Sequence, residues 1–367
     1  MTPKTKHNNR NLQNAQKAKR DEFYTMYKTI SDECSYYADQ FRGKTIYCNC
    51  DNPRKSQFTR YFIRNFNNLG LRRLISTSYE GADKRGLYLD ITQTPQEWTE
   101  RTPDAEVLTY IAENTKELEG SGDFTSFECV QLLRTADIVV TNPPFSIISD
   151  FFDTIHENQK KFLIICHNTV IRRPTVFPRI ANGEYTIGKG GRGSALPFMV
   201  PQDKLEYIIG GTVGRDGKIF RQIPARWLTN LNNPYTPPPL KLRRFYDPRD
   251  YPTYDNSDII EVSGIKEIPL DYGGLMGLPI TFMDRWNPEQ FEVLGKCIRP
   301  TIHGRELFAR AVVKHKHPAR ATQTASDCIF TGGIYETLTE IEKRNSATIN
   351  THRTIQANLN LYDSAGD

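Results

Sequence analysis

Asn142-Pro143-Pro144-Phe145 is the segment whose residue types, in that order, could carry out a reaction. An aromatic exocyclic amine is a weak nucleophile because its lone pair is delocalised into the ring. Reaction at that nitrogen needs acceptors that engage both N–H groups and draw the nitrogen toward tetrahedral geometry. The side-chain oxygen of Asn142 and the main-chain carbonyl of Pro143 can supply the two. The consecutive prolines fix backbone dihedrals and remove two N–H donors, leaving a rigid turn whose carbonyls can accept. Phe145 offers an apolar ring on which a base taken out of its stack can lie. Alternatively, the same four residues are turn chemistry that opens a helix, with Phe145 sealing a core.

Position favours the chemical reading. Residues 136–141 are a nearly continuous apolar run, as are residues 161–166, and such runs form strands buried on both faces. The segment between, residues 146–157, has the length of a helix with Ser146 as N-cap. In an open α/β sheet, ligands bind outside the carboxyl ends of the strands, where Asn142 follows directly on Thr141.

Upstream, Phe23, Met26, Tyr27, Ile30, Cys34, Tyr37 and Phe41 predict an amphipathic helix over residues 21–41. Residues 44–51 form a short β-prone run closed by Asn52-Pro53. A helix carrying Phe58, Tyr61, Phe62, Phe66 and Leu69 then ends at Gly70, and residues 71–77 read as a second strand. This is a βαβ unit, and the fold class it predicts is α/β with a mostly parallel, doubly wound sheet. Residues 86–91 add a strand or hairpin, and residues 105–119 a helix.

At 367 residues and 38% hydrophobic content, the chain can build one sizeable α/β domain and a smaller second one. The formal charge of +5 permits a polyanionic partner without demanding one. Residues 1–20 carry Lys4, Lys6, Arg10, Lys17, Lys19 and Arg20 with no acidic residue, either an arm for phosphates or a solvated tail. Gly188-Lys189-Gly190-Gly191-Arg192-Gly193 is a flexible basic loop that could close over DNA, or a plain surface loop. It lacks the spacing of a P-loop. Asn232-Asn233-Pro234-Tyr235-Thr236-Pro237-Pro238-Pro239 marks a boundary. Beyond it, Lys241, Arg243, Arg244 and Arg249 alternate with Phe245, Tyr246, Tyr251 and Tyr254, pairing charges for phosphates with rings for stacking, although Asp247, Asp250 and Asp255 dilute the charge. Residues 259–262 and 278–283 look strand-like, and residues 318–367 form a polar extension. The seven cysteines include no Cys-x-x-Cys pair, which argues against a disulfide framework or a zinc site and for a reducing compartment. His315-x-His317 is more simply a polar strand end than a metal site. No signal peptide or membrane span is expected, so the protein is expected in the cytoplasm with no membrane partner.

Over residues 21–316, roughly, the sequence resembles the EcoRI-type adenine-specific DNA methyltransferases. The resemblance is carried by Asp21-Glu22-Phe23-Tyr24-Thr25, Tyr47-Cys48-Asn49-Cys50-Asp51-Asn52-Pro53, Gly122-Asp123-Phe124 and the run from Thr141 to Phe145. Trp227-Leu228-Thr229-Asn230-Leu231, Tyr251-Pro252-Thr253-Tyr254-Asp255-Asn256 and the segment from Ile268 to Phe282 extend it. It implies a Rossmann-like domain over residues 21–233 that binds S-adenosylmethionine, a target-recognition region over residues 234–317, and double-stranded DNA as substrate. Phe23, Tyr24 and Thr25 resemble the segment over the methionine end of the donor. Asn49 and Asp51 match the loop that approaches it, though the usual glycine-rich version is absent. Glu80 sits where a carboxylate accepts ribose hydroxyls, or is a surface Glu. Asp123 and Phe124 resemble the pair that holds the adenine, or are a helix N-cap beside a core ring. Methyl transfer from a sulfonium needs alignment and charge complementarity and no metal. The resemblance further implies a bacterial or phage-encoded enzyme, a monomer or homodimer, working with a cognate restriction endonuclease or as an orphan. An Asn-Pro-Pro-aromatic loop also serves RNA adenine or protein glutamine, and a DNA-binding protein without activity could keep the fold. Donor binding and methyl transfer separate these cases.

Overall fold

The computed structural model describes residues 24–193, 195–199, 212–213, 219–319, 335–338, 340–341 and 343. The chain divides into two compact units, Met1–Asn168 with Thr186–Tyr235 and Thr169–Tyr185 with Thr236–Asp367. Residues 1–20, the basic arm, and most of residues 318–367 lie outside the described residues.

The apolar runs of the first unit become a mixed sheet of eight strands: β1 (Thr45–Cys48), β2 (Arg73–Ser78), β3 (Leu87–Ile91), β4 (Thr115–Glu117), β5 (Ile138–Thr141), β6 (Lys161–His167), β7 (Thr186–Ile187) and β8 (Ala225–Thr229). Their spatial order is β4-β3-β2-β1-β5-β6-β8-β7. The four central strands are parallel, with Ile46 opposite both Leu74 and Ile138, and Val139 opposite Phe162. The flanking pairs are antiparallel. The chain leaves β1 for β2 on one side, then returns to β5 on the other, so the strand order reverses between β1 and β5.

Helices α1 (Tyr27–Cys34) and α2 (Gln57–Arg64) bury Ile30, Phe58 and Phe62 in one core with Ile46, Leu74, Val140 and Leu163. Ser56 caps α2 by accepting the Phe58 N–H at 3.0 Å. Helix α3 (Asp104–Asn114) adds Val107 and Ile111 to that core. On the opposite face α4 (Phe127–Thr135) and α5 (Ile148–Glu157) follow, with Phe152 edge-on to Phe162 at 5.7 Å.

Several expected elements differ. The predicted helix over residues 21–41 begins at Tyr27, because Tyr24–Thr25 pairs as a strand with Met199 and Phe198. It also tightens into a 3-10 turn over Ser35–Tyr37 before Ala38–Phe41. The helix over residues 105–119 stops at Asn114, since Thr115–Glu117 is taken up as β4 beside β3. Ser146 caps no helix. It lies inside a 3-10 turn, Phe145–Ile147, and α5 starts at Ile148. In each case a distant backbone partner or a proline-fixed turn overrides local periodicity.

The second unit holds a five-stranded sheet of β9 (Ile260–Glu261), β10 (Leu275–Pro279), β11 (Phe291–Cys297), β12 (Arg310–His315) and β13 (Tyr335–Thr337), in the order β9-β10-β12-β11-β13. The strand expected over residues 278–283 instead ends at Pro279 and passes into the 3-10 turn Ile280–Asp284, because a proline cannot donate to a ladder. At its centre the Arg310 guanidinium grips the Glu261 carboxylate through Nε and Nη2 at 2.8–3.0 Å, and the Tyr254 hydroxyl donates to the same carboxylate at 2.6 Å. The two charged side chains are only 11% and 10% exposed. Removing one partner strands the other charge, so Glu261→Ala is expected to destabilise the second unit by about 3–5 kcal/mol. Chemical denaturation followed in the second unit measures this; a loss under about 1 kcal/mol would mean that water solvates Arg310 in the variant.

Candidate active site

Asn49 and Asp51 stand on the loop beyond the carboxyl end of β1, next to the end of β5. The loop is tied to both neighbouring strands. Asp51 donates its N–H to the Thr77 carbonyl at 3.0 Å and accepts the Ser76 hydroxyl on its own carbonyl at 2.8 Å. Its carboxylate takes the Ser56 hydroxyl at 2.7 Å and, across to β5, the Thr141 hydroxyl at 2.6 Å. Asp51 is 7% exposed, so this carboxylate is the brace that joins β1, α2 and β5 at the reversal point. The Asn49 side-chain oxygen, on a residue 3% exposed, accepts no hydrogen bond among the described residues. A buried acceptor without a donor carries a desolvation cost that a bound polar group would remove.

Asn142 follows Thr141 at the end of β5, one strand over. The Pro144 carbonyl accepts from the Ile147 N–H at 3.2 Å, while the Pro143 carbonyl takes no donor among the described residues. Phe145 is half-buried against the core and tilted toward the His167 ring, centroids 5.8 Å apart. The turn and the core reading of Phe145 thus coexist with the chemical one, since a half-buried ring keeps part of its surface available.

Glu80 lies beyond the carboxyl end of β2. Its Oε1 accepts from Asn52 at 2.7 Å and from the Ser78 hydroxyl at 2.7 Å, which leaves Oε2 without a protein donor among the described residues. The Glu80 N–H reaches the Ser121 carbonyl at 3.4 Å and brings Gly122, Asp123 and Phe124 alongside. Gly122 has φ of 81° and packs so closely that a Cβ would sit 2.0 Å from the Ser78 carbonyl oxygen. Asp123 is exposed and accepts the N–H and hydroxyl of Thr125 on Oδ1. Asp123 is not the cap of α4; Ser126 is, accepting from Cys129 at 3.3 Å. Phe124 is buried against Phe151, centroids 5.6 Å apart. Thr25, on the short strand against α2, is 5% exposed, and its hydroxyl has no partner among the described residues. Phe23 lies outside the described residues, and so does the side chain of Tyr24.

The basic residues divide. Lys189 and Arg192 belong to the first unit, where the Lys189 ammonium bonds the Tyr36 hydroxyl and lies over the Tyr36 ring at 4.8 Å, while Arg192 lies over Tyr235 at 5.1 Å. Their loop is held from below by Glu33, whose carboxylate takes the N–H groups of Lys189 at 3.0 Å and Gly190 at 2.7 Å. The expected flexible loop is therefore anchored. Burial pushes the Glu33 carboxyl up, against the pull of those two N–H groups. In the second unit Lys241 and Arg243 are exposed and form no ion pair among the described residues, whereas Arg244 meets Glu267 at 3.1 Å and Arg249 meets Asp247 at 2.6 Å on the surface. Tyr251 and Tyr254 are buried, so of the four rings expected for stacking only Phe245 is well exposed.

Sequence reasoning quoted Thr141 and Gly122 only as parts of longer segments, with no role of their own, and missed Ser56 and Glu33. For Glu33 a signal existed: it falls on the apolar stripe with Ile30, Cys34 and Tyr37, where a carboxylate needs buried partners. For Gly122 there was none, because its neighbour Ser78 is distant in sequence.

A sheet that reverses beside the braced Asn49 loop, with the Asn142-Pro143-Pro144-Phe145 turn at the end of the adjacent strand, has the form of a methyltransferase. The comparisons with known proteins bear this out. Three curated Type II methyltransferases align with more than four-fifths of the chain: M.EcoRI of Escherichia coli, 40% identical over 329 residues (84% of this chain, 97% of the relative); M.MgeORF184P of Mycoplasma genitalium, 35% over 309 residues (82% and 90%); and M.MpnI of Mycoplasma pneumoniae, 33% over 310 residues (83% and 91%). The protein is a DNA methyltransferase that modifies adenine. The chain belongs to the adenine-specific methyltransferase EcoRI family, whose model matches residues 11–357. No solved structure matches the chain. No helix among the described residues is long and apolar enough to cross a membrane.

Proposed function

We propose that the enzyme takes its methyl group from S-adenosylmethionine and places it on N6 of an adenine turned out of duplex DNA at a specific sequence, as the modification half of a restriction system or as an orphan. The carrying observation is that Asn49 and Asn142 each stand just beyond the ends of two adjacent parallel strands, β1 and β5, on either side of the reversal point of the sheet. On this reading residues 21–233 are a Rossmann-like, doubly wound catalytic domain and residues 234–317 recognise the target.

When bound, S-adenosylmethionine supplies an electrophilic sulfonium methyl group. The buried oxygens of Thr25 and Asn49 suit its polar groups, and Asp51 holds the Asn49 loop in place. Phe23 and Tyr24 cover the methionine end, as the family resemblance implies. Glu80 accepts ribose hydroxyls on Oε2, Asp123 accepts the adenine amine, and Phe124 packs on the adenine ring. At the target base, Asn142 and the Pro143 carbonyl accept the two amine N–H groups, and Phe145 supports the ring. Lys241 and Arg243, free of ion pairs, pair with phosphates most readily; Arg244 and Arg249 exchange weak surface partners for them, and Lys189 and Arg192 add a second cationic face.

Sequencing that detects N6-methyladenine on DNA treated with purified protein and S-adenosylmethionine tests the reading. One short methylated motif supports it. Absence of methyladenine from a protein that binds the donor would move RNA adenine or protein glutamine forward. Phe145→Ala is expected to weaken binding of the extruded base by ~5–100-fold, the range of one base–aromatic stack, with donor binding unchanged. Fluorescence of a 2-aminopurine target base reads this, and an unchanged signal rules out stacking.

A further inference from the structure

The segment around Phe308 is built more firmly than its place in the fold requires. Thr301–Ile302 and Arg305–Glu306 pair as a hairpin through the two-residue turn His303-Gly304, with φ of 49° and 75°. Both positive angles suit the twist of a hairpin, and glycine adopts them at little cost. Histidine does not, and His303 is one of two non-glycine residues with positive φ among the described residues. Asp255 holds it there: its carboxylate accepts the His303 N–H at 2.6 Å and the Gly304 N–H at 2.9 Å, and its own N–H donates to the Thr301 carbonyl at 2.9 Å.

The other end is fastened as well. Ile302 and Leu307 pack on the second core with Tyr254, Ile259 and Val312. Arg310, already gripping Glu261, donates through Nη1 to the Phe308 carbonyl at 2.8 Å. Between these anchors the Phe308 side chain points into solvent, 84% exposed. A phenyl ring left in water contributes almost nothing to the core, so the Asp255 and Arg310 anchors do not serve its burial. They fix the backbone that carries it, which lowers the cost of binding. Three positions earlier, on the hairpin, Arg305 is exposed and forms no ion pair among the described residues, while its neighbour Glu306 pairs with Arg299 at 3.7 Å.

We propose that this hairpin is a contact with the duplex, in which Phe308 acts as a rigid apolar wedge against a base step and Arg305 pairs with a phosphate. The inference rests on the reading that the second unit engages DNA. Wild-type, Phe308→Ala, Phe308→Trp, Arg305→Ala and Lys241→Ala proteins are compared for DNA affinity across salt concentrations, donor affinity and melting temperature. Phe308→Ala is expected to bind DNA about tenfold more weakly with its salt dependence, donor affinity and melting temperature unchanged, and Phe308→Trp to restore binding. Arg305→Ala is expected to flatten the slope of log affinity against log salt by about one. Wild-type affinity in both Phe308→Ala and Arg305→Ala overturns the hairpin contact while leaving DNA engagement intact if Lys241→Ala still loses affinity. If that variant is unaffected too, the reading of the second unit falls with it. A drop in melting temperature that accounts for the lost affinity would likewise overturn the wedge.

Discussion

Asn142→Ala should lower turnover by at least about 10²-fold, the typical effect of deleting one preorganised polar group at a reacting centre, with donor affinity little changed. Asn142 stands at the end of β5, whose register is fixed by β1 on one side and β6 on the other, with Pro143 and Pro144 preventing the turn from relaxing. The variant keeps that backbone and the Pro143 carbonyl, so one of two acceptors is lost. A single acceptor can orient the amine but cannot draw both N–H bonds out of the ring plane. The effect therefore falls on kcat more than on KM for DNA. Single-turnover methylation with saturating DNA and donor measures it, beside a donor titration. Activity equal to wild type would remove Asn142 from the chemistry; equal losses in kcat and donor affinity would assign it to the donor site instead.

The parts of this protein that were legible in its sequence are those written in local apolar runs. Ile138–Thr141 and Lys161–His167 are strands buried on both faces, and nothing but a central parallel position suits them. The motif after the first of them could be placed at a strand end for the same reason. What failed was decided by residues far apart in the chain. Tyr24–Thr25 falls within the span of the helix predicted over residues 21–41, yet its backbone is claimed by Phe198 and Met199. Thr115–Glu117 extends the pattern of α3, yet it completes the edge beyond β3. The same limit governed the site. Glu80 and Asp123 were singled out through the family resemblance, but the contact of Gly122 with Ser78 that sets them side by side has no signature in either segment. Likewise the Gly188 to Gly193 loop looks flexible by composition, yet it is anchored by the buried carboxylate of Glu33, more than 150 positions away, and by the Trp227 carbonyl, which accepts the Gly188 N–H at 2.9 Å.

Gly122→Ala puts that juxtaposition to the test, and its effect should be large for so small a change. The added methyl group would lie 2.0 Å from the Ser78 carbonyl oxygen, 2.9 Å from its carbon and 3.3 Å from the Gly86 Cα, all backbone atoms that no rotamer change can move aside. A φ of 81° adds left-handed strain of about 1–3 kcal/mol for any residue with a side chain. Ser78 is anchored as the last residue of β2, and Gly86 is held by the Gly120 carbonyl at 2.8 Å. The segment that can yield is therefore residues 121–124, and it must move away from Ser78. That takes Asp123 and Phe124 away from Glu80, which stays with Ser78 and Asn52. If one donor molecule spans these residues, with ribose on Glu80 and adenine on Asp123 and Phe124, its affinity should fall at least about tenfold, since a misplacement near 1 Å is enough to lose productive contacts. The Asn142 turn is tied to β5, and this displacement reaches α5 only through the ring of Phe124 on Phe151, so DNA affinity should fall much less than donor affinity. Donor titration, DNA binding and thermal melting on the same preparation resolve the outcome. Lowered stability with wild-type donor affinity would detach Asp123 and Phe124 from the donor site, whereas a selective loss of donor affinity would make the Gly122 contact the hinge on which the two halves of that site are aligned.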